Sequence, residues 1–308
     1  MSYRYTFTVF TPAYNRAETL HRVLESLEAQ TFRDFEWVIV DDGSTDHTRD
    51  LVRKWQKEAD FPIRYFWQEN SGKHIAINRG VREAQGRFFL TLDSDDACVP
   101  EALERLKYHW ETIPEAQRDR FSAVTVLCRD QDGNLVGTRF PWDVTDSNSL
   151  EIRHRYNVKG ENWGFQRTDV MKQFPFPVLE GARFVPEGVV WNAIARRFKT
   201  RYVNEALRIY WSTEDGHSDQ LSNTKNPAKH AVGLGLRHQL ALNDEIDWLR
   251  FAPRFFLRSA ALFTRFSLHA GIGIIDQMRR LNNPLAIALW IVTLPIGIIV
   301  YLSDQKES

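Results

Sequence analysis

Strand-like and helix-like segments alternate through the first hundred residues, and that alternation restricts the fold more than any other feature of the chain. Residues 5–11, 35–40, 63–67 and 87–92 are runs of β-branched, aromatic and aliphatic side chains, the composition of buried strands. Pro12 is predicted to stop the first of them. Residues 17–30 carry Leu20, Val23, Leu24 and Leu27 at helical spacing, and residues 46–57 and 74–84 read as two further helices. Strands separated by helices in this way imply βαβ units, right-handed crossovers and a parallel sheet. The predicted class is α/β.

Polar residues gather where those strands end. Pro12 to Arg16 follows the first, Asp41-Asp42-Gly43-Ser44-Thr45-Asp46 the second, and Asp93-Ser94-Asp95-Asp96 the fourth; Asn70-Ser71-Gly72-Lys73 turns the third into its helix. In an open α/β sheet the carboxyl edge is where ligands bind. Carboxylates released together repel, which raises their pKa unless a cation neutralises them. A hard divalent metal with oxygen ligands does this, and it commonly holds phosphates as well. Taken alone, Asp93 to Asp96 could be a solvated acidic turn that caps the helix beginning near Pro100. Three polar clusters at one sheet edge favour a functional site.

These motifs, in their order and spacing over residues 5–110, resemble glycosyltransferase family 2. The matching pieces are Thr11-Pro12-Ala13-Tyr14-Asn15-Arg16, Val40 to Asp46, Asn70 to Lys73 with Ala76 and Asn78, and Leu92 to Asp96 with Pro100. The resemblance implies a GT-A fold: a Rossmann-like central mixed sheet flanked by helices. It also implies a nucleotide-diphosphate sugar donor and a divalent cation, Mn²⁺ or Mg²⁺. By position, Pro12, Ala13 and Tyr14 would line the nucleobase and ribose, and Asp41 would accept from an imide N–H of the base. Gly72 and Lys73 would border the nucleotide. Asp93 would contact the ribose or the metal's water shell, and Asp95 would ligate the metal that bridges the diphosphate. Asp96 is expected to cap the next helix.

Residues 1–110 are thus expected to be a nucleotide-binding half and residues 111–250 an acceptor half. Residues 121–129 read as a strand, Asp132-Gly133 as a hairpin turn into residues 135–139, and residues 140–158 as a loop over the site. Short helices are expected at residues 168–173 and 189–197, and a further strand within 200–211. Transfer with inversion needs a base for the acceptor hydroxyl, and the resemblance implies an Asp or Glu from this half. Glu187 is the first candidate and Glu180 the second. His217 is a candidate metal contact, with Asp215 beside it in the same loop. Trp163 and Trp191 are candidates to stack on an acceptor sugar, with core packing as the competing reading. No Gln-x-x-Arg-Trp motif is present, which argues for single-sugar transfer.

The last part of the chain has a different composition. Residues 251–275 read as a basic amphipathic helix bearing Arg254, Arg258 and Arg265, suited to a membrane interface or to packing on protein. Residues 285–302 are uncharged and long enough for a membrane anchor or re-entrant hairpin. Arg279-Arg280 just before them would hold the catalytic part on the cytoplasmic face. That placement fits a polyprenyl-linked or other glycan acceptor. Forty basic residues balance forty acidic ones, so no global field points to nucleic acid. Two cysteines without a ligand cluster suggest a reducing compartment, and no N-terminal apolar segment suggests a secretory signal. Two other readings use the same fold. A sugar-phosphate nucleotidyltransferase would carry a glycine-rich loop where Pro12 to Arg16 stand, and a catalytically inactive nucleotide-sugar-binding module would not need its carboxylates.

Overall fold

The computed structural model describes residues 3–211 and 227–307. They fall into two compact units, one from Met1–Pro175 with Ala193–Ser218 and one from Phe176–Asn192 with Asp219–Ser308. The second unit therefore recruits segments well before residue 250, where the sequence reading put the boundary.

The first unit is built on one mixed sheet. Its strands are β1 (Tyr5–Ala13), β2 (Phe35–Asp41), β3 (Ile63–Trp67), β4 (Gly86–Thr91), β5 (Ala97–Cys98), β6 (Phe121–Asp130), β7 (Val144–Ser147), β8 (Asn162–Arg167) and β9 (Lys199–Tyr210). The order is β3-β2-β1-β4-β8-β6-β9-β5, with β7 on β9. The first four strands are mutually parallel, as the alternation predicts. β8 runs antiparallel to both β4 and β6 and joins the two halves of the sheet. Helices α1 (His21–Glu28), α2 (Thr48–Glu58), α3 (Lys73–Glu83), α4 (Ala102–Glu111), α5 (Ser149–His154) and α6 (Thr168–Gln173) connect the strands. The core is aromatic: Phe7, Phe88, Phe165 and Trp110 are buried, with Phe88 and Phe165 in ring contact with each other and with both of the others.

Several local expectations change. β1 runs through Pro12 rather than stopping there, pairing Pro12 with Val40. β4 has already ended at Thr91, opposite Phe10, so the missing Pro12 N–H removes no ladder bond on that side. Residues 140–158 are not one loop but hold β7 and α5, the latter capped by Asn148, whose side chain accepts from Leu150 N and Glu151 N. The expected hairpin after β6 is reduced to a tight turn with one bridge, Arg129 to Leu135. The short helix at residues 168–173 forms as expected, with the Thr168 hydroxyl donating to Gly86 O.

The second unit is helical. α7 (Gly188–Ala195) begins in it, and α8 (Ala231–Asp244), α9 (Pro253–His269), α10 (Ile274–Arg279) and α11 (Pro284–Glu307) complete it. α9 is amphipathic as predicted, but its apolar face is not free. Ala260 and Phe263 share a core with Leu242 of α8 and with Ala286 and Trp290 of α11. α11 is the one helix among the described residues long and apolar enough to cross a membrane.

Candidate active site

The register of the parallel strands brings their carboxyl ends to one rim. Ala13 pairs with Asp41 and Asp41 with Trp67, while Leu92 N donates to Phe10 O just beyond β4. Side chains then tie the loops together. Asn15 N donates to Ser44 Oγ at 2.8 Å, and Asn15 Oδ1 accepts from Thr45 N at 2.8 Å. Thr19 Oγ1 donates to Ser94 O, and Arg22 donates to Asp95 O. Lys73 Nζ lies 2.8 Å from Asp93 Oδ1. Loops that are distant in sequence thus form a single polar ridge.

The two acids at the end of β2 act first as clasps. Asp42 accepts from Gln68 Nε2 at 2.7 Å, Ser71 N at 3.0 Å and Gly72 N at 2.8 Å. Gly72 leads into α3 at φ +99°, a backbone conformation that suits glycine. Asp41 is 0% exposed and accepts from Ser44 N at 2.7 Å and from the Tyr65 phenol. Each of its oxygens thus already accepts one bond, from the loop and from β3, and its expected part as an acceptor for a nucleobase would use the lone pairs that remain. Burial, with the bond to Asp41, pushes the Tyr65 phenol up to about 12.

The acidic loop after β4 is organised by cations. Asp93 faces Lys73 and, at 2.9 Å, Arg208 of β9. Burial works against ionisation there, but Lys73 and Arg208 hold the Asp93 carboxyl far below the usual carboxylate range. Asp96 Oδ2 accepts from Arg208 Nε at 2.8 Å and also meets its Nη2, while Asp96 Oδ1 accepts from Trp211 N at 3.1 Å. Burial and the charges of Asp93 and Asp95 outweigh Arg208 and push Asp96 up to about 6. Asp96 is thus a buried partner of β9 and not the cap of α4, whose N-cap Glu101 makes no side-chain cap bond. Asp95 is half-buried, and its carboxylate has no hydrogen-bond or ion partner among the described residues.

That difference bears on the expected cation. No group of three or more metal-capable side chains exists among the described residues. Asp93 is spent on Lys73 and Arg208, so the pair of metal ligands predicted from sequence reduces to Asp95. One free carboxylate fits a hard cation whose other ligands come from a bound diphosphate and water. His217 and Asp215 lie outside the described residues.

The other predicted residues divide clearly. Tyr14 is exposed at the rim, Pro12 is half-buried, and Ala13 is buried with its carbonyl accepting from Asp42 N. Trp163 is 3% exposed, and its indole N–H donates to Thr91 O at 2.7 Å; it is a core residue beneath the rim and cannot stack on an acceptor. Glu187, Glu180 and Trp191 belong to the second unit. Glu187 Oε2 accepts from the Trp191 indole N–H at 3.3 Å, Trp191 also packs edge-on to Phe176, and Glu180 is exposed. Arg208 was missed. A basic residue between Leu207 and Ile209 in a buried strand needs an acidic partner, and that was its available signal.

Comparison with known proteins agrees with this geometry. The family model described as Glycosyl transferase family 2 matches residues 8–171. An uncharacterized glycosyltransferase of Nostoc sp. is 40% identical over 264 residues, covering 78% of this chain and 76% of that protein. The GalNAc(5)-diNAcBac-PP-undecaprenol beta-1,3-glucosyltransferase of Campylobacter jejuni is 28% identical, covering 82% and 81%. Among solved structures, S. aureus TarS 1-349 in complex with UDP-GlcNAc superposes with a TM-score of 0.58 at 19% identity, covering 95% of this chain and 80% of that one. The mannosyltransferase PcManGT from Pyrobaculum calidifontis, in complex with GDP-Man and Mn²⁺, gives 0.55 at 16% identity, covering 99% and 83%. At these identities the structural matches establish the fold, which is GT-A.

Proposed function

The chain belongs to glycosyltransferase family 2, and on that premise we propose that it moves one sugar from a nucleotide-diphosphate donor to a lipid-linked or other glycan acceptor, with inversion and with the help of Mn²⁺ or Mg²⁺. One observation carries the reading: a free carboxylate, Asp95, stands beside an ion-paired Lys73–Asp93–Arg208 cluster on the rim where four parallel strands end. Breaking a sugar–phosphate bond leaves charge on the diphosphate, and groups fixed in advance near that charge lower the barrier most. Asp95 would hold the cation, which when bound would neutralise part of the developing charge. Lys73, in the first turn of α3 and paired with Asp93, would add a second positive charge there. Tyr14, exposed beside Asn15, is the residue best suited to cover a base.

The acceptor hydroxyl must lose a proton as it attacks the anomeric carbon. Glu187 remains the base candidate, with the Trp191 indole orienting one of its oxygens, and Glu180 remains the second choice. The Campylobacter relative acts, by its name, on an undecaprenyl-diphosphate-linked glycan. Taken with the apolar α11, it supports a lipid-linked acceptor and residence on the cytoplasmic face of a membrane.

A thermal-shift screen of UDP-, GDP- and TDP-sugars with and without Mn²⁺ tests the donor and metal calls. Stabilisation should rise with ligand concentration over its dissociation constant. Asp95→Ala should remove the Mn²⁺-dependent part and keep the unliganded melting point. A variant that responds to Mn²⁺ like the wild type removes Asp95 from the metal site.

A further inference from the structure

We propose that α11 lies in the plane of an anionic membrane surface, attached along its whole length to α9, and does not cross the bilayer. The inference rests on the membrane association given above and specifies its geometry.

α11 is apolar nearly all round, and its two faces differ in what they touch. Its inward stripe contains Trp290, Thr293, Gly297 and Asp304, spaced for one helix face. Trp290 Nε1 donates to Gln277 Oε1, and Trp290 and Thr293 are buried. Its outward stripe is aliphatic: Leu285, Ile291, Val292, Ile296, Ile299 and Leu302 are all about half exposed or more, with Val292 at 70% and Ile299 at 65%. Tyr301 packs inward on His269. Contiguous exposed apolar faces of this kind are rare on soluble monomers and mark a contact surface.

Three contacts spread along the helix hold it to α9. Ala286 and Trp290 share a core with Ala260 and Phe263 near the start. Midway, Gly297 abuts Ala261 and Thr264 so closely that a Cβ would meet Ala261 O at 2.6 Å. At the far end, Asp304 accepts from Arg265 at 2.6 and 2.7 Å and pairs with His269 Nε2 at 2.8 Å. A crossing α11 would have to carry α9 with it. The exposed Arg254 and Arg258 of α9 would then enter hydrocarbon, together with the half-buried Arg265–Asp304–His269 cluster. An in-plane helix meets no such cost: its aliphatic face enters the acyl boundary while the inward polar groups stay on protein.

The charge pattern identifies the occupant as anionic lipid. Residues 251–308 hold six Lys and Arg against three Asp and Glu, a net +3 in a chain whose total is zero. Arg279 and Arg280 are exposed just before the apolar helix, and Lys306 is exposed near its end.

The test uses sealed inverted vesicles from cells that make the full chain. Cys98 and Cys128 are buried, so an impermeant maleimide reports on introduced sites. Gln117→Cys, exposed in the first unit, and Ser303→Cys, at the polar end of α11, are labelled before and after detergent. In-plane placement gives both sites the same accessibility before detergent. Labelling of Gln117→Cys with protection of Ser303→Cys means that α11 spans, which overturns the proposal and leaves membrane association standing. Absence of the chain from the vesicle fraction overturns both. A second measurement uses purified protein and vesicles of phosphatidylcholine with about one quarter phosphatidylglycerol. Val292→Glu with Ile299→Glu should lower the bound fraction by about tenfold or more and leave the helical signal unchanged. Unchanged vesicle binding, with a dimer dissolved by the same pair, would assign the face to a second copy and overturn the lipid assignment.

Discussion

Lys73 Nζ, in the first turn of α3, lies 2.8 Å from Asp93 Oδ1, in the loop after β4. The contact joins the end of the third βα connection to the end of the fourth strand, so the acidic loop is braced before any ligand arrives. It also changes what Asp93 can do. A carboxylate engaged by Lys73 and Arg208 is a poor candidate to ligate a cation directly, whereas a lysine already held at the rim can turn part of its charge to a phosphate oxygen. Lys73→Met should weaken binding of a nucleoside diphosphate by about tenfold to a hundredfold, measured by titration calorimetry. An unaltered affinity would confine Lys73 to bracing the loop.

Arg208 is 6% exposed and serves two carboxylates from a strand distant in sequence from both. Removing such a partner strands buried negative charge and costs about 3–5 kcal/mol. Arg208→Met should therefore be strongly destabilised at neutral pH in urea melts. At pH 5 the deficit should shrink, because Asp93 and Asp96 without their arginine can take up protons. A deficit of equal size at both values would mean that lost packing, and not stranded charge, is the cause.

Which features could be read from the sequence depended on whether the signal was local. β1 to β4 and their helices announce themselves through runs such as Phe88 to Leu92 and the Leu20-Val23-Leu24-Leu27 stripe, and the family motifs fall on the turns between them. β8 escaped notice although Trp163 and Phe165 alternate with Gly164 and Gln166 at strand spacing, because the flanking polar residues break the apolar run. The acidic loop was visible as a cluster, but its internal roles were not. Which of Asp93, Asp95 and Asp96 is left free depends on Lys73 and on Arg208, more than a hundred residues downstream. Pairing at that separation leaves no periodic trace. Likewise, the apolar run at residues 285–302 showed its hydropathy, but not that Trp290 and Gly297 turn inward.

The same cluster sets a pH dependence. Asp96 has a folded pKa pushed up to about 6 from an ordinary value of 3.8, so its ionisation opposes folding. That penalty is absent below the unfolded value, grows as pH rises through the interval and is complete above about 6. Asp93 has the opposite sign: its depressed pKa contributes stability above the unfolded value, lost progressively in acid. Melting temperatures of wild type and Asp96→Asn, compared from pH 4 to pH 7, should converge or cross, with the wild type losing ground to the variant as pH rises. A difference that stays constant across the range would show that Asp96 does not titrate there.

Gly297 reports on how tightly α11 is held to α9. A Cβ at this position would stand 2.6 Å from both Ala261 O and Thr264 Cβ, and 2.9 Å from Thr264 Cγ2. The nearest atoms include backbone, which cannot swing aside as the end of a flexible side chain could. Gly297→Val should push the helices apart and destabilise their unit by about 1–3 kcal/mol, the usual cost of overpacking. Trp290 is 3% exposed about two turns earlier in the same helix, so its fluorescence should shift to the red as the contact opens. Val292→Ala, on the outward face, serves as the contrast: in detergent-free solution it should change stability by no more than about 0.5 kcal/mol. If the two substitutions move the melting curve equally, the close approach of the helices at Gly297 is not what holds α11 in place.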